Sequence, residues 1–358
     1  MTNAKFPMSN KMNNYHEEYN QEEQRYIEEK PKKSKLRRFF WWFFVLIFLG
    51  TAFAIFAFKT GFTFSQISID FNNGGGKLPV EQPFQSKDPD RLNVLLLGLR
   101  GEDDPHGGLL TDSIMLISMK KSTGQVALIS IPRDLYVKIP GTEQYEKINF
   151  AHAYGEEKKK GGGGIAYSKA IISEVTGLYV DYAVSINHEA FKEIVDAVGG
   201  VDVCLDKPFV ENKQFTDEII LNLSAGCHHL DGTTALFFVR SRYTTSDFDR
   251  MRRQQQVLLA AKDKILSLGV LANPVKIFNL LDILGRNVRT DMGAGEMQNL
   301  AGLASGIGGD NVIKKVFDTT LEGLLHSTVA DNGAYILLPV AGDYSQIRET
   351  CRNIFEKS

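Results

Sequence analysis

The sequence predicts an α/β protein: a mixed, partly antiparallel sheet with helices on both faces, behind one N-terminal transmembrane helix. Three observations carry this. Apolar runs such as NVLLLG (93–98), SIMLISM (113–119) and VALISI (126–131) have the length and β-branched content of buried strands. Helical patterns alternate with strands from about residue 165 onward, as in layered α/β folds. The short turn KKSTGQ joins SIMLISM to VALISI as an antiparallel hairpin, so the sheet is mixed rather than all-parallel.

The chain has 358 residues and a formal net charge of −2, which gives no signal for a nucleic-acid partner. Residues 1–38 read as a disordered cytoplasmic tail, polar and poor in aliphatic residues, ending in the basic run PKKSKLRR. The run FFWWFFVLIFLGTAFAIFAF (39–58) has no charge and matches the ~20 residues a membrane-crossing helix needs. Lysines and arginines cluster before it and only Lys59 follows closely, which places the N-terminus in the cytoplasm and the remainder outside the cell membrane. Ala52-Phe53-Ala54 imitates a signal-cleavage site, so a cleaved leader competes with a permanent anchor. Residues 59–90, with Asn72-Asn73-Gly74-Gly75-Gly76 and three prolines, read as an extracytoplasmic stalk.

Residues 91–358 form the folded domain, with a C-terminal strand–helix extension at about 326–358. After the hairpin come a short strand LYVKI (135–139), the loop KKKGGGG, a helix at about 165–175 and the strand YVDYAVSI (179–186). The amphipathic helix HEAFKEIVDAV (188–198) stops at Gly199-Gly200. The strands VDVCL and EIILNL follow, then helices at about 231–243, 247–268, 273–285 and 294–304. NVIKKVF and YILLPV read as late strands, and 344–356 as the last helix.

The stretch ALFFVRSRYTTSDFDRMRRQQQVLLAA (235–261) carries the strongest chemical signal. Arg240 and Arg242 follow directly on an apolar run; Arg250, Arg252 and Arg253 open a helix whose N-cap is expected at Asp247. Forked, permanently charged guanidiniums beside apolar walls suit a pyrophosphate held bidentately. A solvated charged helix face is the plainer alternative. Helical spacing groups Arg250 with Arg253 and points Arg252 away.

Cys204 closes one strand and Cys227 follows a second strand after a loop, both on the outer side of the membrane, where disulfides persist; pairing them would contribute roughly 3 kcal/mol. Cys351 is expected free, and three free thiols remain the alternative. The chain has no G-x-S-x-G, HExxH, P-loop or C-x-x-C motif, which disfavours serine hydrolases, zincins, P-loop enzymes and zinc ribbons. Gly161 to Gly164 imitate a phosphate cradle but read as a mobile loop, and His228-His229 is a weak metal pair.

Four segments in one order carry a resemblance: NVLLLG with Thr111-Asp112-Ser113, SIPRDLYV (130–137), KINFAHAYG (147–155) and RSRY…DFDRMRRQQQV (240–257), with EAFKEIVDAVGGVDV (189–203) between. This closely resembles the LytR-CpsA-Psr family of membrane-anchored phosphotransferases, over residues 91 to about 325. The resemblance implies transfer of a glycopolymer from a polyprenyl-pyrophosphate carrier to peptidoglycan or another surface acceptor, at the membrane, on a mixed sheet with a long apolar pocket. It implies Arg133, Arg240, Arg242 and Arg250 as the pyrophosphate clamp and Asp249 or Asp247 as the acid of the DFxR segment. Asp134, Lys147 and Asn149 stand as supporting residues, with Arg253 beside the clamp, and Asp112 as a carboxylate on the magnesium side.

One position departs from the family pattern. Gly98-Leu99-Arg100 stands where many members have an acid that helps hold Mg2+. Glu102, Asp103 or Asp104 would then take the metal role, or Arg100 would itself face the phosphates. A non-catalytic polyprenyl-phosphate-binding regulator or scaffold is the alternative function. A metal-dependent glycosyltransferase built on Asp247-Phe248-Asp249 is a third.

Overall fold

The structure is a computed structural model that describes residues 56–63, 65–69, 80–101, 108–214, 221–267, 273–305 and 312–356. Met1–Phe58 and Lys59–Ser358 are separate units, and the folded domain is the second. The expected tail and most of the expected membrane span lie outside the described residues, and among those described no helix is long and apolar enough to cross a membrane.

The centre is a six-stranded sheet whose strands lie, edge to edge, in the order 288–290, 182–187, 91–99, 111–120, 125–130 and 312–316; β4 (Tyr136–Lys138) and β5 (Tyr145–Lys147) pair antiparallel as a separate ribbon. The middle of the sheet is the antiparallel meander β1 (Arg91–Leu99), β2 (Thr111–Lys120) and β3 (Gln125–Ser130), with the expected hairpin turn between β2 and β3. β6 (Tyr182–Asn187) pairs parallel with β1, and β12 (Val312–Val316) parallel with β3. β11 (Val288–Thr290) closes the other edge antiparallel to β6; three residues with one valine were too short to read as a strand in advance.

Alternation along these strands feeds two cores. Leu95, Leu97, Ile114, Leu116, Ala127 and Ile129 point to one face, onto α1 (Phe150–Lys158) and α2 (Gly163–Thr176). Met115, Met119, Val126 and Leu128 point to the other, where half-buried Leu258 and Leu259 cover them from α5 (Asp247–Ile265). Each fully buried side chain of this size contributes roughly 1.5–3 kcal/mol relative to exposure. The period-two pattern therefore sets both faces at once, and a one-residue slip would exchange them.

A second layer packs beside α5. α3 (His188–Val198) and α4 (Gly232–Arg240) bury Val195, Ala235, Leu236 and Phe238 with Val201, Val203 and Leu230 of the ribbon β7 (Val201–Leu205) and β10 (Gly226–Leu230). The hairpin β8 (Phe209–Glu211) and β9 (Leu221–Leu223) joins them. α6 (Pro274–Asn287) and α7 (Ala294–Ser305) precede β12.

Several expectations change. Part of the stretch read as a stalk belongs to the folded unit: Ile67 is buried, Ile69 N donates to Thr290 O at 2.7 Å, and the Gln82 amide makes a two-way clasp with Val180 at 2.8 and 2.9 Å. The C-terminal strand–helix extension packs into the folded unit with the rest of the domain. The hairpin β13 (Leu325–Val329) and β14 (Tyr335–Pro339) and the helix α8 (Ser345–Arg352) supply Leu325, Leu337, Ile347 and Cys351 to the larger core. The glycine run opens α2 rather than forming a mobile loop: Glu156 accepts from the N–H groups of Gly161, Gly162 and Gly164 at 2.7, 3.0 and 2.9 Å. The anion cradle there is filled by the chain's own carboxylate.

Cys204 and Cys227 are directly opposed on β7 and β10 and form a disulfide. Cys351 is free and buried, and burial pushes its thiol up to about 12. His228 and His229 turn to different partners, Ser224 O and Asp202 Oδ1, as adjacent strand residues must, and do not converge on a common point.

Candidate functional site

The candidate site lies where β1, β3 and β12 end and α5 begins. β3 runs into Pro132-Arg133-Asp134, β1 into Arg100, and β2 starts at Thr111-Asp112 beside them. Asp112 is the hub. Arg100 Nε donates to its Oδ2 at 2.7 Å, Arg133 Nη1 donates to its Oδ1, and Arg250 Nη2 donates to its backbone carbonyl at 3.0 Å. Burial works to raise the Asp112 pKa, but the Arg133 and Arg100 guanidiniums outweigh it and hold the carboxyl at about 2. The same pairing raises the Arg133 pKa against the opposing effect of burial.

Arg250 is buried, and burial pulls its pKa down to about 10. Asp247, one helical turn earlier, faces it: Asp247 Oδ1 lies 2.9 Å from Arg250 Nη2 and 4.0 Å from Arg242 Nη1. Among the described residues, both Asp247 oxygens and the Nε atoms of Arg133 and Arg250 are buried without a hydrogen-bond partner. Unpaired buried polar groups are costly, so a cluster of them marks a place prepared for a polar ligand.

The structure separates residues that the sequence left together. Asp249 turns outward, accepting from Ser246 Oγ and Arg252 Nη1, while Asp247 turns inward. The N-cap of α5 is Ser246, whose Oγ accepts from Asp249 N at 3.0 Å; Asp247 is the first helical residue. Arg253 does not join Arg250. Its guanidinium donates to the carbonyls of Phe238 and Ser241, stacks 4.6 Å from the Phe209 ring centroid, and so braces the turn that follows α4. Arg252 points away from Arg250, as expected, and pairs with Asp318 at 2.9 Å.

Lys147 Nζ lies 2.6 Å from Asp134 Oδ1, and Arg133 Nε lies 3.8 Å from Asp134 Oδ2, so this acid orients both cations. Asn149 acts through its backbone, donating to Arg133 O and accepting from Thr111 N. Arg240, half-buried, ends α4.

Three contributors were not singled out from sequence. Glu211 is fully buried and accepts from the N–H groups of Lys213, Gln214, Tyr243 and Thr244. Gln214 Nε2 donates to Arg240 O at 2.8 Å while its Oε1 accepts from Arg242 N at 2.7 Å. Gln254 accepts from Ser113 Oγ at 3.0 Å and donates to Val239 O at 3.2 Å, tying β2 to α4. A glutamate and a glutamine in a polar loop carry no periodic signal; only an acid on a strand position that proves buried marks Glu211.

Asp112 does not fit the role of a metal ligand in this arrangement, because each of its oxygens already faces a guanidinium. Glu102, Asp103 and Asp104 lie outside the described residues. Among the described residues no group of three His, Cys, Asp or Glu side chains is placed to hold a metal ion.

Comparison with known proteins agrees with this architecture. The TagU polyisoprenyl-teichoic acid–peptidoglycan teichoic acid transferase of Oceanobacillus iheyensis is 34% identical over 251 residues, spanning 68% of this chain and 73% of that protein. Its counterpart in Bacillus mycoides is 34% identical over 210 residues, 58% of this chain and 62% of that one. Among solved structures, TagT bound to LI-WTA superposes with a TM-score of 0.58 at 25% identity, covering 76% of this chain and 95% of that one. Bacillus subtilis TagV, at 23% identity and a TM-score of 0.58 over 76% and 99% of the two chains, shares the fold. The model of the LytR_cpsA_psr family matches residues 64–353, so the described fold is matched from before β1 through α8, and the chain belongs to the LytR-CpsA-Psr family.

Proposed function

We propose that this protein is a phosphotransferase that moves a glycopolymer from a polyprenyl-pyrophosphate carrier to a hydroxyl of a cell-wall acceptor such as peptidoglycan. The observation that carries this is the convergence of Arg133, Arg242 and Arg250 on Asp112 and Asp247, with buried unpaired donors and acceptors between them. The relatives named as teichoic acid transferases support the same chemistry.

In the proposed reaction the acceptor hydroxyl attacks the phosphorus that bears the polymer. A new O–P bond forms, the bridging P–O bond of the pyrophosphate breaks, and polyprenyl monophosphate leaves. Phosphoryl transfer of this kind depends on positioning and charge neutralisation more than on covalent chemistry. Arg133, Arg240, Arg242 and Arg250 hold the pyrophosphate and neutralise charge on the leaving phosphate. Asp247 takes the proton of the attacking hydroxyl, its buried carboxylate lying against Arg250 and Arg242 with neither oxygen accepting a hydrogen bond. Asp249 has its oxygens engaged by Ser246 and Arg252 and serves the helix start instead. Arg100 contributes positive charge beside Asp112. On the sheet face that α5 covers, half-buried Leu92, Leu96, Ile117, Leu258 and Leu259 offer an apolar wall for the prenyl chain.

The uncharged run at 39–58 anchors the protein in the cell membrane with this domain outside. The deciding experiment is transfer of labelled polymer from a synthetic polyprenyl-pyrophosphate donor to a peptidoglycan fragment. Release of polyprenyl monophosphate that depends on both Arg250 and Asp247 is expected. Tight lipid binding without any turnover would leave a binding module.

A further inference from the structure

Beside the arginine cluster, on the outer flank of α5, lies a cleft of about 690 Å3 that the proposed chemistry does not use. Its floor is α5 at Arg252, Gln255 and Gln256. One wall is β12, the edge strand of the sheet, with the Lys314 side chain and the Lys315 backbone; the other is the end of β7 and the turn after it, with Leu205, Asp206 and Lys207. Both walls are fastened to the floor. Gln255 Nε2 donates to Lys315 O at 3.1 Å, and also to Leu128 O and Ser130 Oγ. Gln256 Nε2 donates to Cys204 O at 2.6 Å, beside the disulfide. The cleft is therefore held open by glutamine amides rather than left between loose surfaces.

Its charge is one-sided. Lys207, Arg252 and Lys314 line it against the single carboxylate Asp206, while Lys315, next along the strand, turns its ammonium to the other sheet face, over the Phe317 ring. Among the described residues Lys207 and Lys314 have no ion-pair partner, while Arg252 is fixed by Asp249 and Asp318. Lysines on an exposed sheet edge also discourage edge-to-edge pairing, and that accounts for Lys314 and Lys315. It accounts for neither Lys207, on another ribbon, nor the tethering of both walls. Leu205 and Val316 add small apolar surfaces of the kind that sugar rings cover.

We infer that this cleft binds the polyanionic part of the donor: phosphodiester-linked sugar repeats of the glycopolymer, trailing from the pyrophosphate held at Arg250. The inference rests on the proposed transfer reaction and names a subsite for its substrate. Arg250 and Arg252 are two residues apart on the first turns of α5, one facing the cluster and the other the cleft, so a polymer leaving the cluster past this helix start meets the lysines next.

The test compares two polyprenyl-pyrophosphate donors, one bearing a single uncharged sugar and one bearing several phosphodiester-linked repeats. It uses the full chain in detergent and the variant Lys207→Gln/Lys314→Gln. Two screened charge contacts predict an about five-fold higher KM for the long donor, with kcat unchanged and no effect on the short donor. The wild-type KM for the long donor should also rise with salt more steeply than that of the variant. Should the double variant lose its melting transition, Lys207→Gln and Lys314→Gln alone carry the comparison, each with a smaller shift in KM. Equal KM values for wild type and variants with the long donor overturn the inference. So does a rise confined to the acceptor KM, which would assign the cleft to the acceptor. Failure of the wild type to turn over the short donor would instead strike the proposed function itself.

Discussion

Gln214 grips the backbone on both sides of Ser241: its amide nitrogen donates to Arg240 O and its carbonyl oxygen accepts from Arg242 N. The two arginines are therefore presented by a loop that the chain had left 26 residues earlier. Gln214→Ala removes both bonds without touching a guanidinium. Turnover is expected to fall about ten-fold, from two hydrogen bonds of roughly 0.5–1.5 kcal/mol each. Because Gln214 acts through Arg242, adding Gln214→Ala to Arg242→Ala should cost much less than it does alone. Full additivity in kcat/KM would show that Gln214 does not act through Arg242.

Arg242→Ala and Arg250→Ala should each weaken binding of a short pyrophosphate donor ten-fold or more, since a charged hydrogen bond contributes roughly 1.5–3 kcal/mol. Arg252→Ala should leave that binding nearly unchanged, because its side chain is half-exposed and paired with Asp249 and Asp318. Titration calorimetry with the three variants decides this, and equal small effects would return the stretch to a solvated charge face.

Arg100 occupies Asp112 Oδ2, the oxygen a cation would otherwise approach. Transfer by the wild type should persist in chelator, and Arg100→Asp should make it rise steeply with magnesium concentration. Complete loss of wild-type activity in chelator, with the same magnesium curve in the variant, would refute this.

Asp112 also links the cluster to pH. Its folded pKa, about 2, lies below the ordinary value of 3.8, so its contribution to stability is full above about pH 4 and is lost as pH falls toward 2. A shift of that size corresponds to roughly 2 kcal/mol. Asp112→Asn should flatten the melting-temperature curve between pH 4 and pH 2, where the wild-type curve falls.

The Cys204–Cys227 bridge fastens the ends of the segment that contains Glu211 and Gln214. Cys204→Ser/Cys227→Ser should lower stability by roughly 2–4 kcal/mol. Peptide mapping without reductant, on protein made in an oxidising compartment, should recover the two cysteines joined; recovery of both as free thiols would dismiss the bridge.

Much of the architecture was legible because it follows from local patterns. NVLLLG, SIMLISM and VALISI became β1, β2 and β3, since runs of that length and β-branched content have few other ways to bury themselves. The Gly199-Gly200 stop behaved likewise, with Gly199 in the left-handed region at φ 88°. LHSTV escaped notice as β13, because its exposed polar positions carry no alternation strong enough to separate it from loop.

The sequence alone determined the strand cores, the helix order and the presence of an arginine-rich stretch after an apolar run. Tertiary structure alone decided which charges meet. Asp247 and Asp249 differ by two positions on one helix, and only the placement of Arg133 and Arg242 around α5 turns the first inward and leaves the second to Arg252. Arg250 and Arg253 share a helix face, yet one reaches Asp112 on β2 and the other the carbonyls after α4. Helical periodicity orders residues around their own axis; it does not say which distant backbone stands opposite. That is settled when the two cores pack, bringing residues more than a hundred positions apart within hydrogen-bonding distance, as at Arg250 and Asp112.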